Sequence, residues 1–452
     1  MIYLEKRAVF SIACIYAFRM LGLFIILPIL SLYVDDIIDA TPTLIGFALG
    51  IYGLSQALLQ IVLGILSDYY GRKPVIIFGL LLFILGSLVA ACSVTIYGII
   101  IGRALQGAGA IGSTLIALVA DVTKEENRIK AMSVIGMTIG LSFVLAITLG
   151  PMLNNIIGLS GIFGLTAALG CIGIIILCYW VPTPSKIYIH RDSKTVIGKI
   201  KQVLAMGELM RLNGGIFILH AILTTLFLAM PMILENNLNI TESQQWRIYL
   251  PVLMVSFLVM VPFIIIADKK NLIKPIFLSA ITLLTLTQAY LSIDDEHLFI
   301  VSFILIVFFA SFTLLEATLP SLVSKISPLG SKGTAMGIYA SIQFFGIFIG
   351  GTAGGFLFHA YGATGIFIFN AILGMLWISF ALTMEKPKAL TTKILRFNAK
   401  KCKLPANMLQ QKILTIQGIK EAMVCFDERV IYLKIDKHHF DEPRLMTLLK
   451  SF

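Results

Sequence analysis

Charge is what this chain has least of. Only 13% of its 452 residues are Asp, Glu, Lys or Arg, and 58% are hydrophobic, against roughly 25% and roughly 45–50% in soluble globular domains. So little charge cannot clothe a water-exposed surface, which excludes an ordinary soluble enzyme or binding domain and implies a bilayer protein. Cysteine is sparse too: six residues, with Cys14, Cys171 and Cys178 inside apolar stretches and Cys402 and Cys425 near the C-terminus, in neither a disulfide framework nor a zinc-ligand spacing. The phosphate-cradling Gly-x-x-x-x-Gly-Lys string is missing, so the sequence gives no sign of ATP-driven work. No nucleophile, metal or cofactor constellation stands out either. The expectation is no catalytic residue, no metal and no cofactor.

What the chain does have is apolar length. Stretches of about 20 residues, enough to cross the hydrocarbon core, recur through the first 385 residues. We count twelve, near 8–33, 43–66, 73–92, 96–120, 131–153, 161–181, 213–234, 247–266, 273–292, 298–322, 334–358 and 364–384. The first follows Lys6 and Arg7 but is too long for a signal peptide and lacks a small-residue cleavage site, so it is expected to stay in the mature protein. The net charge of +11 is not a nucleic-acid signal, because residues 386–452 hold +8 of it. Elsewhere the cations sort by loop. Arg72 and Lys73 lie in the second; Lys124, Arg128 and Lys130 in the fourth; Lys186, Arg191, Lys194, Lys199, Lys201 and Arg211 in the sixth; Lys269, Lys270 and Lys274 in the eighth; Lys325 and Lys332 in the tenth. Odd loops carry only Arg247 and two acidic runs, Asp35, Asp36 and Asp39, then Asp294, Asp295 and Glu296. The positive-inside rule makes the even loops and both termini cytoplasmic.

Weak internal repetition runs at a constant offset. Leu23-Phe24-x-x-x-Pro28 returns as Leu226-Phe227-x-x-x-Pro231, 203 residues on; Leu118-Val119 and Ala131-Met132 return as Leu322-Val323 and Ala335-Met336, 204 residues on. Duplicated bundles of this kind are common in transporters. The expected organisation is a six-helix bundle over 1–182, a cytoplasmic linker over 183–211 entered through Pro182 and Pro184, a second six-helix bundle over 212–388, and a soluble domain over 389–452. In that tail, a strand near Lys393 to Lys401 precedes a helix opened by Pro405 and closed by Gly418, with Leu409, Ile413 and Ile416 facing inward. Strand-like Ala422 to Phe426 and Val430 to Ile435 join through Asp427-Glu428, and a last helix carries Leu445, Leu448 and Leu449. The order βαββα suggests a small α+β, ferredoxin-like unit whose basic surface suits anionic headgroups.

The most specific string is Gly64-Ile-Leu-Ser-Asp68-Tyr-Tyr-Gly71-Arg72-Lys73, closing the second span. Gly64 and Asp68 share one helix face, where the glycine admits a neighbouring backbone and the carboxylate stands at that contact. Gly71 permits the turn into the third span, and Arg72 offers a nearby cation. The fourth span holds Arg103-x-x-Gln106-Gly107-x-Gly109 and ends at Asp121; an arginine inside an apolar span usually faces a cavity or a carboxylate.

These strings resemble motifs A and B of the major facilitator superfamily. The run Arg19-Met-Leu-Gly22 to Pro28 and the tail look more narrowly like the bacterial YajR group of drug/proton-antiporter-like members. The resemblance implies twelve transmembrane helices in two six-helix bundles, with Asp68 capping the start of the eleventh span and joined by Arg72 and Asp121 in a charge cluster that holds the outward-open state. The family's glycine-rich antiporter motif on the fifth span keeps Gly150-Pro151 but has Ala146, Asn154 and Asn155 at glycine positions, which implies a looser seam with the eighth span. Gly346, Gly350, Gly351, Gly354 and Gly355 give the eleventh span a small-residue face for the counterpart seam.

Four more polar residues lie deep in apolar spans. Glu316 is a candidate proton carrier, with a packing role or substrate contact as the alternatives. Arg19, roughly 18 Å along the helix from Lys6 and Arg7, is too deep to snorkel easily, so it is expected to face the cavity as counter-ion to Glu316 or to a substrate anion, or else to make a structural pairing. His220 titrates near neutrality or is simply hydrogen-bonded. Gln343 contacts solute or bonds a neighbouring helix. The combined expectation is a proton-coupled exporter of a small, amphipathic solute in the bacterial inner membrane, working by alternating access as a monomer, with the solute, protons and the lipid bilayer as partners. Import by proton symport, and a membrane sensor signalling through the tail, are the competing readings.

Overall fold

The computed structural model describes residues 3–183, 193–270, 272–293, 297–385, 390–397, 405–426, 430–436 and 439–450. Expectations placed on Pro184, Lys186, Arg191, the run Asp294 to Glu296, Cys402 and the Asp427-Glu428 turn lie outside these residues.

Ten helices among the described residues are long and apolar enough to cross a membrane. In chain order the helices are α1 (Tyr3–Phe24), α2 (Pro42–Tyr70), α3 (Arg72–Ala91), α4 (Ile96–Ala108), α5 (Gly112–Val122), α6 (Glu125–Tyr179), α7 (Ser193–Leu204), α8 (Gly207–Asn236), α9 (Trp246–Lys269), α10 (Ile273–Leu291), α11 (Leu298–Ile326) and α12 (Lys332–Leu382). The two longest are each divided by a glycine outside helical conformation, Gly158 at φ 66° in α6 and Gly362 at φ 65° in α12. Side chains rarely adopt that φ, so glycine supplies both corners. The two stand 204 positions apart, the same offset that relates the repeated strings.

Local chemistry also moves two expected boundaries. The first span, read to residue 33, keeps α-helical geometry only to Phe24 and continues through turns into a short 3-10 segment at Leu30–Tyr33. Pro28 accounts for this, since its ring collides with the carbonyl four residues back, that of Phe24. The fourth span is two helices, α4 and α5, broken at Gly109–Ile111. Gly107 and Gly109 sit there against backbone: an added Cβ would lie 2.2 Å from the Tyr52 carbonyl and 2.3 Å from that of Gly79. Close packing against α2 and α3 fixes the break.

The tail has its own core of Leu409, Ile413, Ile416, Ile419, Ala422, Ile431, Leu433, Ile435 and Leu445, separate from that of the helical bundle. Strands β1 (Leu390–Arg396), β2 (Ile419–Cys425) and β3 (Val430–Asp436) form an antiparallel sheet in the order β1-β3-β2, flanked by α13 (Ala406–Leu414) and α14 (Glu442–Lys450). The first strand lies earlier than expected because Leu390 pairs with Asp436 and Arg396 with Val430. Phe397 is the last residue described there, and the expected continuation over 398–401 lies outside the described residues.

Candidate functional site

For description, helices α1–α6 are grouped as the first half and α8–α12 as the second. We call the end carrying Gly71, Asp121 and Ile326 the tail-side end, and the opposite end, with Thr41 and Asn154, the far end. The halves meet at the far end. An added Cβ would lie 2.3 Å from the Gly351 carbonyl at Gly46, 2.7 Å from that of Phe348 at Gly50, and 2.4 Å from that of Phe344 at Gly53. Real Cβ atoms do not come so near, so α2 and α12 touch backbone to backbone. The second glycine row of α12, Gly346, Gly350 and Gly354, lies instead on α8, against Phe217, Ala221 and Thr225. Gly150 faces the turn after α1, where an added Cβ would lie 3.1 Å from the Ile25 carbonyl, and Pro151 is buried beside it.

Among the described residues, the hydrogen bonds between the halves also lie at the far end. Ser31 Oγ donates to the Phe227 carbonyl at 3.5 Å, and Asn154 Nδ2 donates to the Glu242 carboxylate and, at 2.7 Å, to Tyr33 Oη within its own half. Asn154, which stands at a glycine position of the fifth span, is almost fully buried and bridges the halves; along the seam with the eighth span an added Cβ would lie 3.8 Å from Phe257 at Gly140 and meet nothing within 4 Å at Gly136. Inward of this latch, Phe143 of α6 packs against Phe24 (centroids 5.1 Å apart), Phe227 (6.3 Å), Phe309 (6.3 Å) and Phe312 (6.2 Å). The contacts with Phe227, Phe309 and Phe312 run between the halves, and the group forms an apolar plug.

On the tail side of the plug lies a cluster from three helices of the second half. The Gln343 amide nitrogen lies 2.8 Å from His220 Nε2 and donates to Glu316 Oε1 at 3.4 Å, while His220 Nε2 lies 3.8 Å from Glu316 Oε2. The His220 ring is 5.9 Å from that of Phe312, so the cluster abuts the plug. Sequence reasoning named all three residues, and the fold brings them together.

Arg19 does not join them. It is buried in the first half, where Nη2 donates to Gln56 Oε1 at 2.6 Å and to Tyr52 Oη at 3.4 Å. Its expected pairing with Glu316 is absent because α1 directs it between α2 and α5, inside its own half. Arg103 is buried nearby, stacked over the Tyr52 ring at 4.7 Å and donating to Gln106 Oε1 at 3.0 Å; Gln106 donates in turn to Ser87 at 2.8 Å.

At the tail-side end of α2, Gly71 takes φ 91° and turns the chain into α3. Arg72 bridges Asp68 and Asp121, with Nε 2.9 Å from the Asp121 carboxylate, and also donates to Ser67 Oγ at 2.6 Å. Lys73 donates to the Val181 carbonyl at 2.6 Å. Among the described hydrogen bonds and ion pairs Asp68 has Arg72 alone, so the contact with α12 implied by the resemblance is not made in this conformation. Gly64 likewise meets a side chain, Ser113, rather than a backbone. Close approach along α2 occurs at its other end, where the halves are shut.

The tail grips the same end. Lys434, almost fully buried, donates to the Ser327 carbonyl at 2.6 Å and to that of Ile326 at 3.3 Å, where α11 ends. A cation suits these unsatisfied carbonyls. Glu421 accepts from Lys434 at 3.1 Å and from the Leu329 N–H at 3.0 Å. Ser331, leading into α12, donates to Gln202 of α7 at 3.3 Å. Sequence reasoning missed this contact, as it missed Gln56, Gln60, Phe143 and the Asn154–Glu242 latch. The Gln56 and Gln60 pair, one helical turn apart in an apolar span, was the legible signal among them.

The chain matches the family model described as Major Facilitator Superfamily over residues 12–351 and 212–416. It is 39% identical over 437 residues to the inner membrane transport protein YajR of Escherichia coli (strain K12), covering 96% of this chain and 94% of that one. It is 31% identical over 156 residues to the class H tetracycline resistance protein of Pasteurella multocida, covering 34% of this chain and 38% of that one. Among solved structures, a D-xylose-proton symporter superposes with a TM-score of 0.68 at 15% identity, over 84% of this chain and 99% of that one.

Proposed function

Since this chain belongs to the major facilitator superfamily and is therefore a multi-pass membrane transporter and not an enzyme, we propose that it is a proton-coupled exporter of a small, amphipathic solute. The observation that carries this reading is the cluster of Glu316, Gln343 and His220, set on the tail side of the aromatic plug in a molecule whose far end is shut. An ionisable side chain within the membrane marks a solute or proton pathway. A proton gained or lost at Glu316 changes the charge beside the plug, and that change biases the two access states. The reading of export draws on the tetracycline resistance relative, since removing a drug from the cell gives resistance, and the reading of proton coupling draws on the likeness in fold to a D-xylose-proton symporter.

In this reading α6 and α12 each count as two spans about Gly158 and Gly362, giving twelve. The cations of the tail-side loops support a cytoplasmic assignment of that end, both termini and the tail, in a bacterial inner membrane. The conformation is then inward-open. On outward opening the far-end seam parts and Asp68 reaches the exposed start of α12, so that the Arg72 cluster closes the cytoplasmic side. The tail, read as a ferredoxin-like unit, modulates the cycle through its grip on the α11–α12 loop, and the monomer is the working unit.

Counterflow in proteoliposomes tests the direction: an inward proton gradient should expel solute. Accumulation would establish symport import instead. Tight binding without movement under any gradient would leave only the sensor reading.

A further inference from the structure

The first half buries two guanidinium groups for which no carboxylate partner stands among the described residues. Arg19 and Arg103 are 1% and 0% exposed. The acids of this half whose partners are described lie elsewhere: Asp68 and Asp121 hold Arg72, and Glu5 accepts from the Lys124 N–H and Asn127. Arg19 uses one nitrogen on Gln56 and Tyr52, and its Nε and Nη1 have no partner. A buried cation without an anion is strongly disfavoured. Such a charge persists where its site is built to receive one.

The place toward which Arg19 points is the break in the fourth span. Helix α5, eleven residues long, begins there at Gly112, and no side chain caps it. Among the described hydrogen bonds, none takes up the N–H of Gly112, Ser113 or Thr114, so the positive end of a half-helix faces the protein interior. The space left by the missing side chain of Gly112 is ringed by polar atoms. A Cβ built there would lie 3.3 Å from Tyr16 Oη, 3.7 Å from Arg19 Nη1 and 3.7 Å from Gln60 Oε1. Tyr16, Arg19, Gln60 and Gly112 are buried, and Ile116, one turn further along α5, is exposed.

We propose that this niche, formed by Arg19, Tyr16 and the first turn of α5 at Gly112, is a binding subsite for a monovalent anionic group of carboxylate size. The partnerless guanidinium nitrogens supply charge-assisted donors, the helix start supplies oriented N–H groups, and Tyr16 supplies a hydroxyl donor. Gln60 holds Gln56 through its own amide contact at 3.3 Å and so fixes the partner of Arg19. Resting on the transporter reading, the anionic group is that of the carried solute, which would make the solute an amphipathic acid held by its charge in the first half. A free inorganic anion offers the same chemistry.

Thermal unfolding of the full-length protein in detergent, with sodium benzoate, benzyl alcohol, sodium chloride or sodium isethionate, separates these sources. Benzoate should raise the midpoint above isethionate, whose sulfonate is larger than a carboxylate, at equal ionic strength, and benzyl alcohol should not. If chloride matched benzoate, the niche would hold a free inorganic anion. Gly112→Ala puts a methyl group into the niche, tight against Tyr16 Oη at 3.3 Å and in ordinary contact with Arg19 and Gln60, and keeps every charge; the midpoint in isethionate reports whether its fold survives. In that variant, and in Arg19→Gln, benzoate should bind at least about tenfold more weakly. No benzoate effect in the natural protein, or an effect unchanged in Gly112→Ala, overturns the proposal. Either result would leave proteoliposome transport, and hence the transporter reading, to stand or fall separately.

Discussion

Adding one methyl group at Gly53 should push the transporter out of the conformation described above. The Cβ of Gly53→Ala would lie 2.4 Å from the Phe344 carbonyl and 3.1 Å from both Ile347 Cβ and the Phe348 nitrogen. The nearest atom is backbone, so no side-chain rotation relieves the clash, and α2 and α12 must separate. Overpacking of this kind costs about 1–3 kcal/mol. Because the clash exists only while the far end is shut, that cost enters the equilibrium between access states directly, shifting it about 5- to 160-fold toward far-end opening. The assay is labelling of Ser31→Cys by a membrane-impermeant maleimide in a background lacking the native cysteines. Ser31 is 1% exposed here, so labelling reports opening. Gly136→Ala is the control: nothing lies within 4 Å of its added Cβ, and its gain in helix propensity, about 1 kcal/mol, acts on both states alike. Equal labelling rates in the Gly53→Ala and Gly136→Ala backgrounds would refute the claim that the glycine seam closes the far end.

Other outcomes follow from the remaining contacts. Asp68→Asn should slow transport while sparing expression, and unchanged transport across several pH values would remove the gating role. Glu316→Gln should retain solute binding and lose proton coupling; pumping that stayed normally pH-dependent would move the proton site elsewhere. Asn154→Gly should remove the latch to Glu242 and speed labelling at Ser31→Cys, an effect that Glu242→Gln should share in smaller degree since it can still accept the bond. Lys434→Ala should loosen the tail by about 1–3 kcal/mol, seen as faster proteolysis between the bundle and the tail without loss of membrane insertion.

How much of this could be read without coordinates depends on the range of the interaction. Spans are legible because crossing a bilayer demands a fixed apolar length, and the tail core because Leu409, Ile413 and Ile416 repeat at helical spacing. Glu316, His220 and Gln343 were legible one at a time as polar residues out of place, yet their meeting on three separate helices depends on helix rotation, which composition does not encode. Arg19 shows the limit most clearly. Its depth announced a partner, but the sequence offered Glu316, and only packing reveals that α1 turns it toward Gln56 and the helix break. The fourth span reads as continuous because its glycines suit close packing as well as they suit a break; the carbonyls of Tyr52 and Gly79 decide between the two. Asn154 looked like a defect in a glycine seam, and its role rests on a loop carboxylate eighty-eight residues away.

The grip of Lys434 on the end of α11 has a practical side. A domain anchored by a buried ammonium to backbone carbonyls of one half has little freedom to lag behind it, so the tail is a handle. A fluorophore, a rigid fusion or an antibody fragment attached to its sheet would move as the second half moves, giving a way to watch or arrest the cycle from outside the membrane without touching a residue that lines the path.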